Sequence, residues 1–469
     1  MPGGAGANAV LKRYGRRPDA PLAQDAEVHR IADVLLRLAD LLVASGAATV
    51  DVEASVIAAA SALGVPRTEI DVTFNAVTVT LFRDDGPPVT QVRVVRQRSA
   101  NYARLAAVHK LIVDLVENGL SRREALGRLV EIEQQPPTYP RWAISAAWGV
   151  LAAAVTQFLG GGPLTALIAF CTTALVDQLG RLLRRRGWPD FYLHVVGALT
   201  ATLVAVVLNA LDAPLRSSLV VAGGIIVLLA GVALVSTVQD AITGFLVTAA
   251  GRVTEVMLLT AGIVIGVAVG LFVAQQLGVT IGIRPPVVAT LGDLPGRVIA
   301  AAVGAAAFAA AQQTPRRLLL PCGLAGALSF TVWFLTQQAL GAPAAAAGVA
   351  AVVAGLASHV LALRLQAPPL VVVIPSIVIL LPGLTIYRGM LLISEGSSFE
   401  GILVLLQAAT IGLALAAGVL LGEIIGQPVR RELSRVERRL AGPRMVGPMR
   451  LRLRRSGSRR PVNDRADDR

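Results

Sequence analysis

Ile226-Val227-Leu228-Leu229-Ala230-Gly231-Val232 and Val378-Ile379-Leu380-Leu381-Pro382-Gly383-Leu384 are two apolar stretches of the same design, set 152 residues apart. At the same offset Gly244 meets Gly396, Gly266 meets Gly418 and Gly270 meets Gly422. Four ungapped glycine matches in an apolar frame point to an internal repeat of the kind secondary transporters carry.

Working outward, ten runs are long enough, or nearly so, to cross the roughly 30 Å of hydrocarbon in a bilayer. They fall at about 142–160, 163–183, 189–211, 217–236, 253–277, 296–313, 318–340, 343–364, 369–393 and 401–426. The offset pairs the fourth and fifth runs with the ninth and tenth, so each half has five crossings. An odd number forces the halves into opposite orientation, an inverted repeat with substrate expected at the interface between halves.

The 469 residues are 54% hydrophobic and 16% charged, with a formal net charge of +13. Residues 142–427 hold only 12 Lys/Arg and 9 Asp/Glu, whereas residues 428–469 hold 14 and 5. The composition excludes a disordered chain, a disulfide scaffold and a coiled coil. The basic excess sits in a tail suited to anionic headgroups, so it does not indicate a nucleic-acid partner. The expected organisation is a flexible leader (1–23), an α+β domain (24–140), two membrane halves (141–277 and 278–427) and a basic tail (428–469). Arg181, Arg184, Arg185, Arg186, Arg252, Arg316, Arg317 and Arg364 fall on one side of the ten crossings, and Arg216, Arg284, Arg297 and Arg388 on the other. The positive-inside rule then places both termini in the cytoplasm. The leader has no apolar signal core.

Between residues 24 and 140 the hydrophobic periodicity switches from helix to strand and back. Residues 27–44 and 49–63 read as helices. Residues 70–82 read as a strand that is bulged or split at Asn75–Ala76, and 90–96 as a second strand. Helices follow at 103–117 and 121–133, the last with Ser121 and Glu124 spaced for a capping box. The predicted order is ααββαα. Asp51 and Glu53 after the Ser45-Gly46-Ala47 turn suit the helix N-terminal dipole, or else a ligand or gating role. Cys171 and Cys322, in apolar runs without metal-ligand neighbours, read as buried small hydrophobes.

Two features single out candidate substrate or coupling residues. First, each repeat glycine, Gly231 and Gly383 behind Pro382, precedes a segment too polar or broken for a simple span: Ser236-Thr237-Val238-Gln239-Asp240 up to Gly244, and Thr385-Ile386-Tyr387-Arg388 up to Gly396. Pro375 and Pro382 each remove a backbone donor and free a carbonyl that a substrate, water or neighbouring helix must satisfy; a kink fixed by packing is the plainer alternative. Second, ionisable groups in spans are costly unless paired or hydrated. Asp240, in the broken segment, leads. Asp177 can pair locally with Arg181, and Arg252 with Glu255. His194 and His359 suit structural hydrogen bonds or a proton relay, and Glu423 suits the cytoplasmic boundary. No nucleophile elbow, P-loop or zinc pair occurs, so neither an enzyme nor a metal or other cofactor is expected.

The chain from about residue 27 to 427 resembles the threonine/serine exporter family. In the N-terminal part the resemblance rests on Leu41-Leu42-Val43-Ala44-Ser45-Gly46-Ala47, Thr49, Val52-Glu53 and Leu63-Gly64. In the membrane part it rests on Gly231, Asp240 and Gly244, and on Leu381-Pro382-Gly383 with Tyr387-Arg388. It implies export of small hydroxy amino acids across the bacterial cytoplasmic membrane, driven by the proton motive force. Ala230-Gly231 departs from the Pro-Gly usual in the family's first repeat. Relatives split into two chains are associated with dicarboxylate export, the main alternative substrate class, for which Arg388 would matter more. A membrane sensor with a ligand-binding domain is the alternative of another class, and a homo-oligomer is compatible with either.

Overall fold

The structure, a computed structural model, describes residues 20–83, 86–95, 101–211, 217–228, 231–279, 291–365, 367–394 and 396–433. Most of the expected leader, all of the basic tail beyond 433, and Ala230, Arg216 and Arg284 lie outside the described residues.

The N-terminal unit contains α1 (Ala20–Ala44), α2 (Thr49–Ala62), β1 (Thr68–Thr73), β2 (Ala76–Leu81), β3 (Val89–Val94), α3 (Tyr102–Glu117) and α4 (Arg122–Gln134). The strands form one antiparallel sheet in the order β1-β2-β3. Its inner face buries Val72, Val77, Val79 and Leu81 against Ile31, Leu35, Leu38 and Leu42 of α1. The order is therefore ααβββαα. The stretch read as one split strand is a hairpin, with Thr73 paired to Ala76 across Phe74 and Asn75. Phe74 takes φ +52° there, a conformation bulky residues rarely adopt, so the turn is not written in glycine. The Ser121–Glu124 capping box forms as spaced: Ser121 Oγ accepts from the Glu124 N–H at 3.3 Å, and the Ser121 N–H donates to Glu124 Oε2 at 3.0 Å.

The membrane part runs α5 (Arg141–Phe158), α6 (Pro163–Arg185), α7 (Asp190–Ala210), α8 (Ser217–Gly224), a 3₁₀ turn (Ile226–Leu228), α9 (Gly231–Ile242) and α10 (Leu246–Gln276). After a short 3₁₀ turn at Leu291–Asp293 come α11 (Leu294–Ala311), α12 (Arg316–Leu340), α13 (Pro343–Leu365), α14 (Leu370–Ile377), a 3₁₀ turn (Val378–Leu380), α15 (Gly383–Ser394) and α16 (Ser398–Leu433). Seven of these helices are long and apolar enough to cross a membrane: α6, α7, α10, α11, α12, α13 and α16. The repeat extends beyond the glycines. From Arg141 against Leu294 to Leu246 against Ser398, every element of the first series has a counterpart beginning 152 or 153 residues later.

Packing repeats with the boundaries. A Cβ at Gly266 of α10 would stand 2.2 Å from the Val195 carbonyl of α7, and one at Gly418 of α16 would stand 2.4 Å from the Gly348 carbonyl of α13. These glycines let paired backbones approach as helices in lipid do. Gly244 and Gly396 close α9 and α15 at φ +97° and +91°, the left-handed conformation that glycine reaches without penalty.

Three expectations change. The fourth and ninth runs are not continuous spans: each is a short helix, a 3₁₀ turn and a second helix. The breaks lie before Gly231 and Gly383, whereas Ser236 to Asp240 and Thr385 to Arg388 are helical. In the turn that follows α9, Thr243 Oγ1 donates back to the Gln239 carbonyl at 2.8 Å. Cys171 is exposed on α6, while Cys322 is buried.

Gly266→Ala is expected to lower the melting temperature of detergent-purified protein by the several degrees that about 1–3 kcal/mol of overpacking implies. Gly180→Ala, where a Cβ meets nothing within 4 Å, is expected to leave it unchanged or raise it through helix propensity.

Candidate functional site

The two breaks bring a small residue to the start of a half-helix twice, Gly231 at α9 and Gly383 at α15. α9 packs against α16 and α15 against α10, so each half's broken segment touches the other half's long helix. Nearby carbonyls are partly satisfied by neighbours. Pro375 lacks the N–H that would bond the Val371 carbonyl, and Cys322 Sγ of α12 donates to that oxygen at 3.4 Å. Thr173 Oγ1 of α6 donates to the Gly223 carbonyl at 3.0 Å. Leu381 N–H donates to the Val378 carbonyl at 3.3 Å, the acceptor that Pro382 would otherwise leave. A neighbouring helix or turn thus takes up the carbonyls the prolines free.

Asp240 and Arg252 are both buried, at 0% and 5% exposure. Arg252 Nη1 lies 2.6 Å from Asp240 Oδ2, an approach across the α9–α10 turn that the local pairing of Arg252 with Glu255 did not anticipate. The other carboxylate oxygen, Oδ1, accepts the Thr49 N–H at 3.1 Å. Thr49 begins α2, and its N-cap, Ala48, has no side chain to offer. Asp240 therefore caps α2 from 191 residues away, where charge and helix dipole reinforce each other. Asp51 lies in the first turn of the same helix.

The same turn is held a second way. Thr248 Oγ1 accepts the Phe74 N–H at 3.1 Å and donates to the Val72 carbonyl at 2.9 Å. The Phe74 ring lies on Gly251, where a Cβ would come within 2.8 Å of it. The unusual φ of Phe74 is thus fixed by docking on α10.

A second joint reaches the other half. The Tyr102 N–H donates to the Gln312 carbonyl at 2.9 Å. Tyr139 Oη donates to the Thr314 carbonyl at 2.9 Å, and the Tyr139 N–H donates to Gln313 Oε1 at 3.1 Å. Gln313 has φ +63°, whereas its counterpart in the first half is Gly160 at +81°. The second half replaces glycine by a residue whose amide binds the N-terminal side. Burial raises the Tyr139 phenol above its ordinary range, against the opposing pull of Arg316.

The remaining candidates lie apart. Asp177 pairs with Arg181 on α6. His194 Nδ1 sits 2.7 Å from the Asp190 carbonyl, one turn earlier on α7. His359 is buried against Gly426. Arg388 is exposed on α15; Glu255 and Glu423 are half-buried on α10 and α16. Ser45 is buried in the turn before α2, and Gly46 takes φ +87°. Thr248 and Gln313 escaped the sequence reading, and Arg252 was read there as a partner of Glu255 rather than of Asp240; the positive φ at Gln313 has no composition signal.

Two family profiles match the chain, one described as "Putative threonine/serine exporter" over residues 33–274 and one as "Threonine/Serine exporter, ThrE" over residues 297–425. The chain belongs to the threonine/serine exporter family. It is 34% identical to a "Probable threonine/serine exporter" of Mycobacterium tuberculosis, over 97% of this chain and 91% of that protein. It is also 34% identical to the "Threonine/serine exporter" of Corynebacterium glutamicum, over 88% and 87%. A "Probable succinate transporter subunit" of Klebsiella aerogenes is 24% identical over 53% of this chain and 96% of its own length. No solved structure matches.

Within this exporter-family chain the joint is specific to the first half. The positions 152 residues beyond Asp240 and Arg252 are Leu392 and Val404. Asp240→Asn alone strands a buried guanidinium and is expected to cost about 3–5 kcal/mol. Asp240→Leu with Arg252→Val, which copies the second half, is expected to recover most of that loss, because apolar replacement of a buried pair is often neutral. Melting curves of the three variants check both.

Glu53, one turn into α2, has its carboxyl raised above 4.5 by burial and then by Asp71. An acid whose folded value is raised favours the fold when protonated, so its contribution declines as pH rises from the ordinary carboxylate value through the raised one. Glu53→Gln is expected to flatten that decline, read as melting temperature against pH between mildly acidic and neutral buffer.

Proposed function

We propose that this chain is a secondary transporter that exports small hydroxy amino acids, threonine and serine, across the bacterial cytoplasmic membrane. It works by alternating access between two five-crossing halves of opposite orientation, with both termini cytoplasmic and the proton motive force as driver. The observation that carries the reading is the pair of matched half-helices beginning at Gly231 and Gly383, set in counterpart positions of a chain that belongs to this family. Half-helix N-termini turn a positive dipole end toward a carboxylate, and a carbonyl that already accepts one hydrogen bond keeps a second lone pair for an ammonium. The substrate is held between the two breaks, where the halves meet.

The relatives named for threonine and serine support the hydroxy amino acid over the succinate of the more distant subunit. Arg388, on the second half-helix, is the cation that would draw a substrate carboxylate toward the site. Asp240, engaged at the α2 joint, contributes to coupling through that joint.

Countertransport in proteoliposomes tests the reading. Vesicles loaded with threonine or serine are expected to exchange with external labelled amino acid, and net export to collapse with a protonophore. Exchange of succinate alone would favour the dicarboxylate alternative. No exchange of any amino acid or dicarboxylate would remove the transporter and favour a sensor.

A further inference from the structure

The N-terminal α+β unit is bonded to both halves of the membrane part. At the first half it meets the α9–α10 turn through Asp240, Thr248 and Gly251, and at the second half it meets the α11–α12 turn through Gln312. Tyr139, which follows the unit and precedes α5, holds Gln313 and Thr314 beside that second contact. A rigid unit tied to two bodies resists their relative motion, and the two ties differ in kind. The second uses neutral hydrogen bonds to backbone and amide. The first holds a buried carboxylate between a guanidinium and a helix N-terminus, and seats an aromatic ring on a glycine.

The first tie also straddles a hinge. Gly244, at φ +97° and with nothing within 4 Å of where a Cβ would stand, joins α9 to α10. Asp240 lies just before it, and Thr248, Gly251 and Arg252 just after. The counterpart hinge, Gly396 at φ +91°, has Leu392, Glu400, Leu403 and Val404 at those four positions. None of these can repeat the clamp: no carboxylate faces a guanidinium, and a leucine stands where Phe74 needs a glycine. Of two equivalent hinges, one is pinned.

Resting on the transport reading above, we propose that the α+β unit is a brace that locks the Gly244 hinge, and that each transport cycle requires the joint at Asp240 and Phe74 to open. The unit then acts as a coupling part of the transporter, holding one access state until the joint lets go.

A reversible lock tests this. Phe74 Cγ, the position a cysteine sulfur would occupy, lies 3.1 Å from where a Cβ at residue 251 would stand, a spacing that suits a disulfide. Phe74→Cys with Gly251→Cys, in a chain carrying Cys171→Ser to remove the exposed native thiol, is reconstituted and assayed for threonine exchange before and after oxidation. The oxidised form is expected to lose exchange by roughly tenfold or more, as arrest of a gating motion would give, and dithiothreitol to restore it. Equal rates in the two forms would overturn the brace. The unmodified chain run in parallel separates the failures: if it moves no substrate the transport reading falls, and if it moves substrate while the locked form keeps pace the brace falls.

Hydrogen exchange in the unmodified chain gives a second reading that needs no variant to fold. Under turnover the Thr49 amide is expected to lose protection relative to the amides of α4. Unchanged protection at Thr49 would equally overturn the proposal.

Discussion

A carboxylate taken out of water needs a cation or several donors, or it loses its charge. At Asp240 that demand is met by Arg252 from the next helix and by the N-terminal N–H of α2. Much of the arrangement around the first half follows from this one requirement. The α+β unit must sit at the α9–α10 turn because the cap of α2 is there. Phe74 then lies over Gly251, and its strained φ is held by Thr248. A buried ion pair adds little net stability over an apolar core, and the second half does without one at Leu392 and Val404. What the pair does add is a fixed address for the N-terminal unit.

The second constraint is the repeat. Element boundaries recur 152 or 153 residues apart over both membrane halves, and the packing glycines recur with them. The recurrence along the chain supplies two matched half-helix starts, at Gly231 and Gly383, and two matched turns, at Gly244 and Gly396. The departures from symmetry are where specialisation lies: Asp240 and Arg252 against Leu392 and Val404, Gln313 against Gly160, Pro375 and Pro382 against Gly223 and Ala230. The first two sets serve the joints with the N-terminal side. The third makes the second break depend on Cys322 and on its own 3₁₀ turn for the carbonyls its prolines release.

Much of this was legible in the sequence, and the rest was hidden for identifiable reasons. The offset, the glycine frame, the capping box at Ser121 and the Asp177–Arg181 pair are local or periodic, so a single chain displays them. The hairpin at Phe74–Asn75 was hidden because its positive φ falls on phenylalanine, which sends no turn signal and is held by contact with α10. Asp240 stood out as a carboxylate in an apolar run, but its partner at Thr49 is 191 residues distant and is a backbone N–H, which no side-chain pattern reveals. Arg252 has a nearer acid in sequence, Glu255, and the turn at Gly244 carries it to Asp240. The breaks were placed too late because the polar residues Ser236 to Asp240 after Gly231 are helical.

The most direct test of two oppositely oriented halves, with the α+β unit on one side only, is sidedness at the two matched turns. Leu246→Cys and Ser398→Cys place single thiols at the first residues of α10 and α16, in chains carrying Cys171→Ser with Cys322 buried. A membrane-impermeant maleimide applied to intact cells is expected to label position 398 and spare position 246, with the pattern reversed in inverted vesicles. Labelling of both positions from the same side would contradict the inverted repeat and, with it, the account of how this chain moves its substrate.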